Sequence, residues 1–588
     1  MDKEAILAKA KEYIGLEKDP AFRKQVEDLL AKQDFTELSD RFYTELEFGT
    51  GGIRGVIGGG YNRLNSYIIQ KTTQGLAAYI KKVVPAEKAS VAIAYDSRHY
   101  SAEFALNAAR VLAGNGIKAY LYTSLRSTPQ LSFTVRKLGA TAGIVITASH
   151  NPPEYNGYKV YWSDGGQIVS PHDTGIVAQV IAVKGSEIAC MTKEEALSRG
   201  LLVFIDKDLD AAFIDMVKAC VLRPDLVRKK GSSLKVVYTP LHGTGAVPVE
   251  KALADLGISV TFVEEQKAPD GNFPTVAFPN PEEASAMKLA LDLAKKESAH
   301  LVLATDPDAD RLGIAVPDGV EGFTLLSGNQ LGALLLDYLL SSRKEQGTLP
   351  PRGAFVKSIV TTDLGRLIAR DFGVECFDVL TGFKYIGEKI REFESQKGGF
   401  TYIFGTEESY GFLLNTSVRD KDAVSAAVIT AEMTLYHVSL GRSLLDRLNY
   451  LYQKYGYFQE TQVSRYFKGE SGLSVMAALM ERLRSAPPAS LGGLKVEVVK
   501  DYQDGTVLDT ASGKRKKSIA LPPANVLQFV CDDGSIVTAR PSGTEPKIKF
   551  YASCRSAAGL PLVQARAQAA AKIEAIRGQI AVLIDGGK

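Results

Sequence analysis

The sequence predicts an α/β protein of several domains, three of them related to one another, followed by a distinct C-terminal α+β domain. Three observations lead there. The chain has 588 residues, too many for one compact domain when domains run to about 100–200 residues. Short apolar runs alternate with helical stretches through most of its length, the pattern of α/β units with mostly parallel pairing. A coarse pattern also recurs three times, in which an apolar strand ends in a polar loop and a second such strand follows some tens of residues later.

Taken in order, residues 1 to about 45 read as helix, with Ile6, Ala10, Tyr13 and Ile14, then Val26, Leu29 and Leu30, at three-to-four spacing. The first repeat pairs Val91–Tyr95, ending in Asp96-Ser97-Arg98, with Gly143–Ile146, ending in Thr147-Ala148-Ser149-His150. The second pairs Lys235–Tyr238 with Leu301–Ala304, and the third pairs Phe355–Val360 with Thr401–Phe404. Beyond about residue 455 the texture changes: Leu494–Val499, Val526–Val530 and Ile548–Ala552 look like strands, and an Ala-rich helix over Gln564–Ile576 closes the chain. The expected divisions are a helical extension over 1–45, α/β domains over 46–215, 216–324 and 325–450, and the α+β domain over 451–588.

Composition narrows the function. Hydrophobic residues make up 45% and charged residues 23%, which excludes disorder as the main state. With 70 basic and 67 acidic residues the net charge is +3, so no bulk field favours nucleic acid or a membrane surface as partner. No run of 18 apolar residues is present, and the N-terminal stretch carries charges throughout. The five cysteines are scattered, with neither a CxxC pattern nor a disulfide framework. A reducing, cytoplasmic setting is expected. The sequence defines no oligomeric state.

Four loops carry chemistry. In Thr147-Ala148-Ser149-His150-Asn151-Pro152-Pro153 a strand delivers a serine that two prolines keep out of a helix. Such a serine is a nucleophile if a base or metal activates it, and otherwise caps a turn. In Asp306-Pro307-Asp308-Ala309-Asp310-Arg311 alternate carboxylates can converge on one hard divalent cation. An EF-hand would need glycine and glutamate where Arg311 and Pro317 stand. An aspartate-nucleophile reading is open for Asp306 and Asp308, but the third carboxylate, Asp310, favours the metal cage. Gly405-Thr406-Glu407-Glu408-Ser409-Tyr410-Gly411 offers a carboxylate and a hydroxyl that suit a vicinal diol, or else forms an acidic surface turn. Arg540-Pro541-Ser542-Gly543-Thr544-Glu545-Pro546-Lys547 combines a guanidinium, two hydroxyls and a glycine, a phosphate cradle or a solvated turn. Gly49–Gly55 and His242–Gly245 match neither nucleotide fingerprint.

Together and in this order, these loops resemble the α-D-phosphohexomutase superfamily over about Phe48–Tyr551. The resemblance implies a heart-shaped, four-domain architecture around a central cleft. It also implies that Ser149 carries the phosphoryl group and that Asp306, Asp308 and Asp310 bind Mg²⁺, with a phosphoserine oxygen as a further ligand. By the same matching, Arg54, His150, Lys159 and Arg311 lie near the transferring group, and Glu407 and Ser409 contact sugar hydroxyls. Arg540, Ser542, Gly543 and Thr544 grip the other phosphate, and Thr381 and Gly382 form a further substrate loop. Lys421 matches a basic residue near the sugar, although Ala423 stands where the family has glycine. The implied activity is that of a phosphoglucomutase, with glucose 1,6-bisphosphate as intermediate and activator. Pentose or mannose phosphates by the same mechanism, or a sugar bisphosphate synthase or phosphatase, are the alternatives. A fourth domain hinged near residues 445–460 is expected to close the cleft against water.

Overall fold

The computed structural model describes residues 3–585 apart from 50, 321, 468–471 and 543–546. The N-terminal extension is three helices, Lys3–Leu16, Pro20–Lys32 and Phe35–Phe42. The chain breaks where Asp19, followed by Pro20, and Asp34 cap the second and third helices through their side chains.

The first sheet has strands β1 (Gly52–Val56), β2 (Ser90–Tyr95), β3 (Lys118–Tyr122), β4 (Ala142–Ile146), β5 (Tyr155–Trp162) and β6 (Leu202–Ile205), ordered β1-β5-β4-β2-β3-β6. The second has β7 (Val236–Thr239), β8 (Val260–Phe262), β9 (Leu301–Thr305), β10 (Leu312–Pro317) and β11 (Phe323–Leu326), ordered β11-β10-β9-β7-β8. The third has β12 (Gly353–Ser358), β13 (Glu375–Val379), β14 (Thr401–Glu407) and β15 (Gly411–Leu413), ordered β13-β12-β14-β15.

One unit underlies all three sheets. Its first strand pairs in parallel with its second (β2 with β3, β7 with β8, β12 with β13). It also pairs in parallel with its third (β2 with β4, β7 with β9, β12 with β14). The fourth strand folds back antiparallel on the third (β5 on β4, β10 on β9, β15 on β14). Central strands such as β4, β7 and β9 are buried at every residue, so they read as unbroken apolar runs. The chain switches direction across the sheet between the first and third strands, and in such folds ligands gather at the carboxyl ends of those strands.

The fourth sheet contains β16 (Phe458–Tyr466), β17 (Ser490–Leu491), β18 (Leu494–Asp501), β19 (Thr506–Asp509), β20 (Arg515–Lys517), β21 (Leu527–Cys531), β22 (Ile536–Pro541) and β23 (Lys547–Arg555). Its path is β16-β23-β22-β21-β18-β19-β20. Alternate residues Leu527, Phe529, Val537, Ala539, Ile548 and Phe550 form a core with the helices Gly472–Ser485 and Leu562–Asp585. The intervening Gln528, Thr538, Arg540, Lys549 and Tyr551 therefore share the opposite face. On that face Gln528 donates to the carbonyl of Ile359 in the third unit at 2.9 Å.

Two sequence readings shift. The strand expected over Phe355–Val360 ends at Ser358, because Ile359 and Val360 are buried with Leu380, Tyr502, Val526 and Tyr551 between the third unit and the fourth sheet. Their hydrophobicity serves that junction rather than the strand. The expected divisions at 215/216, 324/325 and 450/451 fall inside the helix Lys207–Lys218, strand β11 and the helix Leu444–Tyr455. Phe213, Ile214 and Val217 of the first of these pack with Val236, Tyr238 and Val249 of the second unit. Divisions near Asp206, Ser327 and Gly456 leave every element whole.

No single helix among the described residues is long and apolar enough to cross a membrane. The passage into the fourth sheet is made at Gly456, with φ at +94°. A Cβ there would sit 2.5 Å from the carbonyl oxygen of Ser556. Gly456→Ala combines backbone strain with that collision, and is expected to lower the midpoint of thermal unfolding by about 2–8 °C in calorimetry. An unchanged midpoint would show that the joint yields freely.

Candidate active site

The serine, aspartate and glutamate loops occupy one position in the repeated unit, the carboxyl end of its third strand. Ser149 follows β4, Asp306 follows β9 and Glu407 ends β14. Each loop turns through one non-glycine residue in the left-handed region: Ser149 at φ +54°, Ala309 at +50° and Tyr410 at +63°.

Asp306, Asp308 and Asp310 are buried, each offering an oxygen within 4.8 Å of the others. Asp306 Oδ2 accepts from Ser149 Oγ at 2.6 Å, and its Oδ1 accepts from the backbone N–H groups of Asp310 and Arg311. Asp308 Oδ2 accepts from Thr128 Oγ1 at 2.8 Å and from Lys159 Nζ at 2.8 Å. Asp310 Oδ2 pairs with Lys421 Nζ at 3.2 Å and Lys159 Nζ at 3.5 Å. Asp308 Oδ1 and Asp310 Oδ1 are buried without a hydrogen-bond partner among the described residues.

Burial, and then its two neighbouring aspartates, holds the Asp306 carboxyl well above the usual range. Burial raises Asp308 too, but the Lys159 ammonium outweighs it and keeps that group below its ordinary value. Three crowded, buried carboxyls, two of which keep an oxygen without a hydrogen-bond partner among the described residues, are the donor set of a hard divalent cation, and these residues fit Mg²⁺.

The loop that presents them is fixed from every side. Thr244 donates to the Pro307 carbonyl through both its N–H and its hydroxyl, and a Cβ on Gly243 would strike Pro307 Cα at 2.3 Å. Thr128 N–H donates to the Asp308 carbonyl, Ala423 N–H to that of Ala309, and Leu312 N–H to that of Tyr410. Ala423 is a regular first residue of the helix Ala423–Ser439, which Asp422 caps, so alanine in place of glycine is accommodated beside Lys421.

Around Ser149 the decisive residue is Arg98. Its guanidinium donates to the carbonyls of Ser149 at 2.6 Å, Pro152 at 2.8 Å and Tyr155 at 3.0 Å, and so shapes the whole turn. Arg54 reaches the same turn through Asn151 Oδ1 at 2.9 Å. His150 Nδ1 lies 3.2 Å from Ser149 Oγ. Burial, then Arg311 and Arg54, depresses its imidazole well below the usual value, so it is neutral at pH 7. Arg311 pairs with Glu282 at 2.5 Å beside the aspartates.

In the third unit, the buried Glu407 accepts from Gly382 N–H at 2.7 Å. Burial, and then Glu408, pushes the Glu407 carboxyl up to about 7. Thr381 Oγ1 is buried next to it without a partner among the described residues, and Ser409 is half-buried in the same turn. On the fourth sheet Arg540 pairs across the strands with Lys549, and burial, then the neighbouring charges of Lys547 and Arg540, hold the Lys549 ammonium below its ordinary value. Ser542 N–H donates to the Lys547 carbonyl at 2.7 Å, while Gly543 and Thr544 lie outside the described residues. Adjacent cations of this kind are an anion site.

Sequence reasoning missed Thr128, Thr244, Arg98 and Lys549. Arg98 carried a signal as the end of the Asp96-Ser97-Arg98 loop, and Thr244 as part of the glycine-rich His242–Gly245 stretch; Thr128 and Lys549 carried none.

Four stretches match profiles of one family. Residues 45–185, 211–319 and 327–455 match the phosphoglucomutase/phosphomannomutase alpha/beta/alpha domains I, II and III, and 494–575 match its C-terminal domain. The chain is 39% identical over 546 residues to a phosphoglucomutase of Staphylococcus aureus strain MRSA252, covering 90% of this chain and 94% of that protein. It is 39% identical over 516 residues to that of Staphylococcus haemolyticus, covering 87% and 91%. Among solved structures, the open form of the Paramecium phosphoglucomutase pp63/parafusin aligns with a TM-score of 0.68 at 17% identity, covering 92% of this chain and 95% of that one. A phosphoglucomutase/phosphomannomutase family protein of Burkholderia thailandensis aligns at 0.62 and 19% identity, covering 90% and 97%.

Thr128 tests how the aspartates are held. Thr128→Val keeps the shape and removes the hydroxyl that orients Asp308, so Mg²⁺ affinity by titration calorimetry is expected to fall about 10–100-fold. Unaltered affinity would show that Lys159 alone orients that carboxylate.

Proposed function

The chain belongs to the phosphoglucomutase/phosphomannomutase family, and we propose that it is a phosphoglucomutase, interconverting glucose 1-phosphate and glucose 6-phosphate through a phosphoserine at Ser149 and a glucose 1,6-bisphosphate intermediate. The observation that carries this reading is the 2.6 Å contact of Ser149 Oγ with Asp306 inside the buried three-aspartate group, in a chain 39% identical to phosphoglucomutases.

O1 and O6 of one sugar are too far apart for direct transfer, and a phosphoryl group stored on serine removes that obstacle. The Oγ–phosphorus bond breaks as the sugar hydroxyl oxygen forms its own bond to phosphorus. The hydroxyl proton leaves, Ser149 Oγ regains one, and His150, neutral and 3.2 Å away, is placed to pass it. The bisphosphate then turns over, and its other phosphoryl group returns to Ser149.

Such transfer needs positioning and charge neutralisation more than covalent help. Mg²⁺ held by Asp306, Asp308 and Asp310 would supply positive charge at the transferring oxygens. Arg54, Lys159 and Arg311 ring the same point and add to it. Glu407, with Ser409 and Thr381, faces sugar hydroxyls. Lys421, tied to Asp310, links that sugar loop to the aspartates. Arg540 and Lys549 hold the phosphate that is not in transit, and the binding energy of that remote group orients the reacting one. Glucose 1,6-bisphosphate added in trace amounts would act as activator by charging unphosphorylated Ser149.

With Mg²⁺ and a trace of the matching bisphosphate, turnover of glucose 1-phosphate is expected to exceed that of mannose 1-phosphate and ribose 1-phosphate. Ser149→Ala is expected to abolish it by at least about 10³-fold. A ribose preference would keep the mechanism and change the substrate; phosphate release without isomerisation would overturn the reading. A second outcome concerns pH. A carboxyl at about 7 becomes an acceptor-only carboxylate above that pH, so kcat/KM on glucose 1-phosphate should rise as pH climbs through about 7. Glu407→Gln should remove that limb, and a limb that survives the substitution belongs to another group.

A further inference from the structure

The helix Lys207–Lys218 and the helix Ala246–Asp255 diverge around a cavity of about 630 Å³ that the phosphosugar chemistry does not use. Phe213 and Ile214 from the first helix, Val247 and Pro248 from the second, and Leu125 from the loop after β3 give it apolar walls. Val247 is 73% exposed there, a large aliphatic side chain left open to solvent. The volume lies within the 300–1,000 Å³ range of small-molecule sites.

The charges around it are uneven in a way that selects a ligand. Each lining carboxylate already has a cation: Asp210 pairs with Arg126 at 2.7 Å, Asp255 with Lys251 and Lys218, and Asp215 with Lys218 at 3.0 Å. Lys207, also in the lining and exposed, has no carboxylate within ion-pair distance among the described residues. A phosphosugar would ask for several free cations and many hydroxyl partners, whereas here Arg126 is engaged with Ser124 and Asp210, Gln130 with Asp210, Thr244 with Pro307 and Lys251 with Asp255. An apolar body with one negative charge matches both the walls and the single free ammonium.

The cavity also adjoins the props of the aspartate loop. Thr244 lines it, and its hydroxyl and N–H hold the Pro307 carbonyl. Arg126 and Gln130 line it from either side of Thr128, whose hydroxyl and N–H hold Asp308. Gln130 further ties this segment to Asp210 at 2.6 Å. A molecule seated between the helices therefore bears on both segments that fix Pro307 and Asp308. We infer that this cavity is an effector site for a small molecule with an apolar body and one carboxylate, whose binding is coupled to divalent-cation binding at the aspartate loop. Because such coupling is reciprocal, the effector changes cation affinity by the same factor as the cation changes effector affinity.

The test uses the full chain with 1-anilinonaphthalene-8-sulfonate as an apolar monoanionic fluorescent probe and 4-phenylbutyrate as competitor. One probe site per chain is expected, displaced by 4-phenylbutyrate much better than by uncharged 4-phenylbutanol. Lys207→Glu should weaken the probe about five-fold or more. Ala211→Trp, at an exposed lining position, should fill the cavity and abolish binding, with basal turnover unchanged in both variants. Probe affinity should differ between saturating Mg²⁺ and EDTA, and that difference should vanish in Ala211→Trp. Probe binding unaffected by both substitutions, equal displacement by the alcohol, or affinity indifferent to Mg²⁺ would each overturn the proposal. Binding is read by fluorescence without substrate, so its failure is separate from any failure of the phosphoglucomutase assignment.

Discussion

Three carboxylates within 4.8 Å of one another, out of contact with water, are the constraint on which the rest of the molecule depends. Like charges at that spacing in a low-dielectric setting repel strongly, and the cost is met only by cations and donors brought close. Within the loop itself only Arg311 and backbone N–H groups answer these charges; the other side-chain partners come from elsewhere. Ser149, Lys159 and Thr128 come from the first unit, and Lys421 comes from the third. The loop can keep its shape only if three units converge on it. The same convergence brings Ser149, the three aspartates and the buried Glu407 into one region. Folding and function therefore share one electrostatic requirement here.

The repeated topology explains how one design supplies three different chemistries. A strand that turns from parallel pairing into an antiparallel hairpin needs a tight loop, and in each unit that loop lies at the carboxyl end beside the switch in connection direction. Ser149, Ala309 and Tyr410 each take a left-handed backbone conformation there, at about 1–3 kcal/mol apiece for non-glycine residues. The surrounding hydrogen bonds over-determine them: the Thr147 hydroxyl accepts from Ser149 N–H, Arg98 gathers the carbonyls of the serine turn, and Leu312 N–H holds the Tyr410 carbonyl. The strain is local, and the support for it comes from distant parts of the chain.

That separation sets what the sequence discloses. The four loops are contiguous, so their residue types and spacing are visible in one dimension, and the triple repeat is visible because buried parallel strands are unbroken apolar runs. The props are not contiguous. Thr128 lies 180 residues from Asp308, and nothing in a Ser-Thr-Pro helix start announces that its hydroxyl serves a carboxylate so far away. Ser, Ala and Tyr do not advertise a left-handed turn as glycine would. Strand β16, FQETQVSRY, is mostly polar and escapes notice because its pairing with β23 holds it, not its hydrophobicity. The opposite error occurs at Ile359 and Val360, where apolar residues at a domain junction imitate the end of a strand.

On the proposed reading, the fourth sheet gives the distal phosphate a domain of its own. Period-two alternation gives β22 and β23 one face for their own core and one face for the third unit, so Arg540, Lys549 and Tyr551 are presented together without any loop having to place them. A bisphosphate that must turn over needs its unreacting end released and then gripped again in the opposite sense. A cradle rigidly fused to the metal loop would have to be pulled apart at each turnover. The fourth sheet follows Gly456 and rests on the third unit through a small apolar patch and through hydrogen bonds of Gln528 to Ile359 and of Glu460 to Thr362 and Asn329; on the proposed reading, a seat separate from the aspartate loop lets the cradle adjust while that loop keeps its shape.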